Sequence, residues 1–453
     1  MVDFNRWNIM KSLAKRIISI IALCIVFVIL LGLTSQVLHV DESVSHELIS
    51  GFYNEPENSL DAVLIGPSCV YLLYEPPLAW KHYGITTWSY SSPGQPFEAA
   101  QYIIEDAQKK QPNTLFVITT NDLLNDKISE NRVHWLTDFM PNSINKVNLI
   151  NRLIHSSGNI GIDEQLEYFF PVLRFHSLWT EFKFKDLKYN GCKSGAWNNN
   201  QLMSYKNIST EFKKENDCFP LPDRIKKKLI TLLDYCDEKK INVLFLTAPA
   251  SSSAKNLDES IKSKQLNMIN KIIEERNFSV LNAMERMNEI GLDLSTDYYD
   301  KYHTNIHGAV KYTSFIANYL VENYNFRDKR GDAKFTDWDN GYEKYISTIS
   351  PYALPFEYED SSWNTFLDSP NVIESNKKST INWKPIKGAD GYGIFVKDTS
   401  SSSWKLLKRI KPSVCSIKKS DLLYDDYIIV AYQEENGTEV WGKIDVAKLI
   451  NKD

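Results

Sequence analysis

Between residues 60 and 325, five short runs rich in branched apolar residues return at intervals: DAVLIG, GITTWSYS, NTLFVITT, INVLFLTAP and FSVLNA. Runs of this length, bounded by turn residues, read as strands buried on both faces. The segments EAAQYIIEDAQKK, RIKKKLITLLDYCDEKK, KQLNMINKIIEER and GAVKYTSFIANYLVENY follow or separate them and carry apolar residues at helical spacing. Strands alternating with amphipathic helices predict an α/β fold, a parallel sheet covered by helices on both faces. Residues 125–220 break the rhythm, being aromatic, rich in asparagine and irregular, and read as a large insertion between sheet strands.

The two ends differ from this middle. Ile17 to Leu33 holds no charge, and its apolar character extends loosely to Val40. About 20 such residues cross a bilayer as a helix, so residues 17–38 read as a transmembrane anchor. Arg6, Lys11, Lys15 and Arg16 precede it, whereas Asp41, Glu42 and Glu47 follow. The basic flank assigns residues 1–16 to the cytoplasm and the bulk of the chain to the far side of a cell membrane crossed once. LGLTSQVLHV lacks a small-x-small cleavage site, which favours a retained anchor over a removed signal peptide. Near the other end, residues 346–370 form a linker containing proline and aromatic residues, and residues 371–450 turn to short alternating segments broken by KGADG and ENGT. That pattern predicts a small β-sandwich with Trp383, Tyr392, Ile394, Tyr427 and Ile429 facing inward. INWKPIKGADGYGIFV and YDDYIIVAYQ resemble bacterial fibronectin type III-like domains over about 80 residues, a likeness of fold.

Composition removes several function classes. Lys and Arg number 52 against 57 Asp and Glu, a formal net charge of -5. No basic stripe stands out, which argues against nucleic acid as a partner. The six cysteines form no CxxC pair, so neither a zinc knuckle nor a thioredoxin-like site is expected, and a Cys192–Cys218 disulfide stays open on spacing alone. His303 and His307 stand four apart, a spacing that can pair two zinc ligands on a helix, but no HExxH or third ligand accompanies them. No metal or cofactor is expected, and His307 is assigned to the start of the last helix.

A parallel sheet collects the loops after its strands along one edge, where ligands bind. After the first strand stands Gly66-Pro67-Ser68; after the second, SSPGQP with Gly94; after the third, TTND with Asn121; before the last helix, DYYDKYHTNIHGA with Asp300 and His303. A hydroxyl, an imidazole, a carboxylate and amide donors suit ester chemistry. Serine is a poor nucleophile until a base takes its proton, and histidine serves near neutral pH. A carboxylate holds the imidazole in the right tautomer. Donors then hold the tetrahedral oxyanion.

The order Ser, Gly, Asn and D-x-x-H resembles the SGNH, or GDSL-like, hydrolase superfamily over residues 60–325. The resemblance implies a flavodoxin-like three-layer domain over residues 39–345, with Ser68 as nucleophile, His303 as base and Asp300 as its orienter. It also implies an oxyanion hole of Ser68 N–H, Gly94 N–H and the Asn121 amide. Asp297 is the runner-up carboxylate. The sequence departs from the family at Thr119, where glycine is usual, and at Pro67 and Cys69, which flank the serine. The anchor and outside domain resemble the D-alanine transfer and alginate O-acetylation proteins, which work beside a membrane-bound O-acyltransferase. That likeness implies a serine esterase or O-acyltransferase acting on acyl, chiefly acetyl, esters of a cell-surface polysaccharide. The alternatives are a non-catalytic scaffold of the same fold binding a glycan or a membrane-bound O-acyltransferase, and a surface protein whose β-sandwich is the working part. Each site residue also has an ordinary structural role to weigh: Ser68 as a turn serine, Gly94 as a turn glycine, Asn121 and Asp300 as helix caps and His303 as a surface histidine.

Overall fold

All five apolar runs form strands of one parallel sheet: β1 Ala62–Gly66, β2 Thr87–Ser91, β3 Leu115–Thr119, β4 Val243–Thr247 and β5 Ser279–Asn282. The computed structural model describes residues 2–35, 44–125, 128–157, 161–175, 217–250, 257–292, 294, 297–349, 372–374, 380–397, 404–422, 427–435 and 438–441. The strand order is β2-β1-β3-β4-β5. Every residue of β1 to β4 is buried, as two covered faces require. β5 lies at the edge and is partly open.

This order reverses direction after β2, which makes the gap between β1 and β3 the topological switch point. Crossovers between parallel strands are right-handed, so a reversal of direction moves the connecting helices to the opposite face. Pro76–Tyr83, between β1 and β2, accordingly packs with the helices Ile306–Asn323 and Thr336–Ile349. Ala100–Lys110, between β2 and β3, packs with Asp223–Lys239 and Ile144–Ser157. The helix Thr336–Ile349 escaped the sequence reading because its pattern is interrupted by Gly341. It buries Trp338 and Tyr345, and its Asp339 accepts a 2.9 Å bond from the Trp80 indole.

The insertion between β3 and β4 differs from the irregular segment expected. Its described part forms the helices Glu130–Thr137, Ile144–Ser157 and Ile162–Phe169. Leu136, Leu149, Leu153 and Tyr168 carry them into the main core. Asparagine and aromatic content lowered the apparent helical pattern, and Trp135, Ile144, Val147 and Leu166 blur it further by lying exposed on these helices.

The amino-terminal helix runs from Val2 to Ser35. Its Met10–Ser35 portion, 26 residues long, contains an 18-residue stretch of mean hydropathy 3.1 that no other part of the protein covers. Such a helix is about 39 Å long against a hydrocarbon thickness of about 30 Å, so it is long and apolar enough to span. Its last turn meets the α/β domain: Asn142 Nδ2 donates to Gly32 O at 2.9 Å and Val172 N–H donates to Ser35 Oγ at 3.2 Å.

The carboxyl-terminal region is antiparallel. β6 Val372–Glu374, β7 Thr380–Trp383 and β10 Ser416–Lys418 form one sheet; β8 Gly391–Lys397, β9 Trp404–Ile410, β11 Tyr427–Glu435 and β12 Thr438–Trp441 form the other. Trp383, Tyr392, Ile394 and Ile429 are buried in a shared cluster, with the Trp383 and Tyr392 rings edge-on at 5.4 Å. Tyr427 is only partly buried against that cluster. Cys192 lies outside the described residues, and with it the Cys192–Cys218 pairing.

Candidate active site

β1 ends on Gly66, and the chain turns through Pro67 into a short helix opening at Ser68. Two neighbours shape this turn. Ser91 Oγ, at the end of β2, donates toward the carbonyls of Gly66 and Pro67, the latter at 2.9 Å. Thr119, at the end of β3, leans over Gly66 so closely that a Cβ there would lie 1.9 Å from its Oγ1. The two residues therefore fit as a pair, with glycine on β1 making room for a threonine on β3.

Ser68 Oγ stands 2.7 Å from His303 Nε2, across 235 residues of sequence. His303 Nδ1 lies 2.8 Å from Asp300 Oδ2. The other carboxylate oxygen, Oδ1, accepts from the N–H groups of Tyr302 at 2.8 Å and His303 at 3.0 Å. Partial burial pushes the Asp300 carboxyl upward, but the bond from His303, those two N–H groups and the imidazole's charge outweigh it and hold the group below its usual range. Asp300 is thus an ionised acceptor. With Nδ1–H directed at it, Nε2 is left as the acceptor facing the serine hydroxyl.

The loop carrying His303 is held from three sides. Tyr298 and Thr304 form an antiparallel bridge. Thr304 Oγ1 donates to Leu72 O at 2.7 Å, joining the loop to the helix that Ser68 opens. At Gly308 a Cβ would meet Asp297 O at 2.5 Å and Thr304 at 2.8 Å, so the helix Ile306–Asn323 approaches the loop as only glycine allows. The helix cap is Asn305, whose Oδ1 accepts from Gly308 N–H at 3.3 Å, and not Asp300. Asp297 is buried and pairs with Lys311 at 2.9 Å. The helix begins at Ile306, so His303 lies before it and the i,i+4 arrangement with His307 on one helix face does not form. The His307 side chain lies outside the described residues.

Ser68, Gly94, Asn121 and His303 line one cavity of about 500 Å³, with Asp300 behind His303. Gly94 has φ +58, a left-handed conformation natural to glycine, and the guanidinium of Arg132 lies across it. Asn121 does not cap its turn. Its Nδ2 donates to Ala248 O at 2.9 Å, and its Oδ1 accepts from Ala248 N–H at 2.8 Å. This clamp to the end of β4 fixes the amide and uses one of its two N–H donors, leaving the second for an oxyanion. Cys69, beside Ser68, is a poor nucleophile, because burial pushes its thiol up to about 12.

The cavity also holds Asp122, Arg132, Lys262 and Tyr302, none of which the sequence reading singled out. Arg132 Nη1 lies 3.8 Å from Asp122 Oδ2. Burial pushes the Asp122 carboxyl up to about 7 against the pull of Arg132. Asp122 and Tyr302 are neighbours of Asn121 and His303 in two of the quoted blocks, but no spacing signal ties in the other two, since Arg132 comes from the insertion and Lys262 from the helix Leu257–Glu275. No metal-ligating cluster lies in this cavity among the described residues. Neither a protein-family model nor a curated protein matches the chain.

Proposed function

We propose that this chain is an SGNH-type serine esterase or O-acyltransferase, held at a cell membrane by its amino-terminal helix with its bulk on the extracytoplasmic side. Its substrates in this reading are acyl esters, chiefly acetyl, of a cell-surface polysaccharide, and a membrane-bound O-acyltransferase is its proposed partner. The observation that carries the reading is the continuous chain Asp300–His303–Ser68, joined at 2.8 and 2.7 Å at the carboxyl edge of a parallel sheet. A turn serine and a surface histidine have no reason to meet in this way. Glycan and partner rest on the resemblance of the motifs.

In this mechanism His303 takes the proton of Ser68 as Oγ attacks the ester carbonyl. The tetrahedral oxyanion is held by the N–H groups of Ser68 and Gly94 and the Asn121 amide. Collapse breaks the carbon–oxygen bond of the ester, and His303 returns the proton to the departing sugar hydroxyl. Water or a second sugar hydroxyl, deprotonated by His303, then attacks the acyl-serine and restores Ser68. The test is the intact mass of the full-length chain in detergent after exposure to a fluorophosphonate. One adduct on the wild type and none on Ser68→Ala is the expected result. A folded wild type that takes no adduct, or a variant that takes one equally, would sink the reading.

A further inference from the structure

Away from the cavity, Glu130, His134 and Glu167 bring three ligand atoms within 4.8 Å of one another. Glu130 and His134 stand four apart on the helix Glu130–Thr137, and Glu167 comes from the helix Ile162–Phe169. The His134 side chain is 2% exposed and its Nε2 has no hydrogen-bond partner. Its other nitrogen, Nδ1, lies 3.0 and 3.1 Å from the two oxygens of Asp138. Tyr168 stacks on the ring with centroids 4.4 Å apart, which limits its rotation.

These facts define a conflict. An Nδ1–H donated to Asp138 leaves a lone pair on Nε2. That buried lone pair faces two carboxylates at the solvent edge, an exposed one and a partly exposed one, an arrangement of like polarity. A metal cation would satisfy the Nε2 lone pair and both carboxylates at once. We propose that Glu130, His134 and Glu167 bind a divalent transition-metal ion, with zinc the best fit to one imidazole and two carboxylates. Tetrahedral zinc needs donors roughly 3.4 Å apart, which the half-exposed Glu130 reaches by a small side-chain rotation. Asp138 is the outer partner that sets the imidazole tautomer. The site ties together the first and third insertion helices, and Arg132, between the two ligands of the first, turns instead to the Ser68 cavity. The ion is thus a brace for that helix, and the proposal stands independently of the acyl-transfer reading.

The test uses the untagged full-length chain in detergent, stripped with a chelator, dialysed and titrated with Zn²⁺, with bound zinc measured by elemental mass spectrometry. The expected result is one zinc per wild-type chain and a melting temperature raised by about 5 °C at a hundredfold excess over Kd. Glu130→Gln/Glu167→Gln, at an exposed and a partly exposed position, should lose the zinc and the shift while staying folded by circular dichroism. Asp138→Asn should weaken zinc binding about 10–100-fold. A folded wild type that binds no zinc, or a folded double variant that binds it equally, overturns the proposal.

Discussion

Replacing Asp122 by asparagine should stabilise this protein, and increasingly so as pH rises. The buried carboxyl titrates near 7 folded, and its Oδ2 is buried without a hydrogen-bond partner. Unfolded, it titrates near 3.9. Because the folded value is raised, the native state holds its proton longer. Its stabilising contribution is complete below about pH 4 and is lost as pH climbs through 7. The full span, about 7 minus about 3.9, corresponds to roughly 4 kcal/mol, with the pull of Arg132 already included. About 1.5 kcal/mol of that is already lost at pH 5, which leaves about 2–3 kcal/mol to appear by pH 8.5. Asparagine has the same shape and no charge to bury. The assay is urea denaturation of wild type and Asp122→Asn at pH 5 and 8.5, following the α/β domain transition. The advantage of the variant should grow by about 2–3 kcal/mol between the two. A gain independent of pH, or a variant less stable at pH 8.5, would refute the reasoning and show Asp122 to be ionised and satisfied.

Two further substitutions probe the placement of His303. Asp300→Asn keeps the shape of the orienting residue but loses its charge, so kcat for ester cleavage should fall about 10⁴-fold with little change in melting temperature, measured by steady-state turnover of an acetyl ester. Gly308→Ala puts a methyl against Asp297 O and Thr304; it should cost about 1–3 kcal/mol in stability and about 10²-fold in turnover, read by denaturation and the same assay.

The departures from the family pattern become intelligible in three dimensions. Thr119 stands where glycine was expected, but β1 and β3 are neighbours, and Gly66 supplies the missing space from the other strand. Asn121 could equally have been a helix cap on sequence grounds. Its two bonds to Ala248 decide otherwise, and Ala248 is 127 residues away, beyond the reach of any local pattern. Asp297 and Asp300 were both candidate partners for His303. Only the fold separates them, because Lys311 comes back along the helix Ile306–Asn323 to take Asp297.

Local patterning was enough to read the five strands, four of the helices, the apolar amino-terminal helix and the residues that follow each strand. Those features follow from burial and periodicity, which are written locally in the order of apolar and polar side chains. The tertiary structure alone decided the strand order and the helices of the insertion. It also decided which groups meet around Ser68, and that Arg132, Asp122 and Lys262 share its cavity. Each of those depends on contacts between residues far apart in the chain, and the free energy of such contacts leaves no mark on the spacing of either partner.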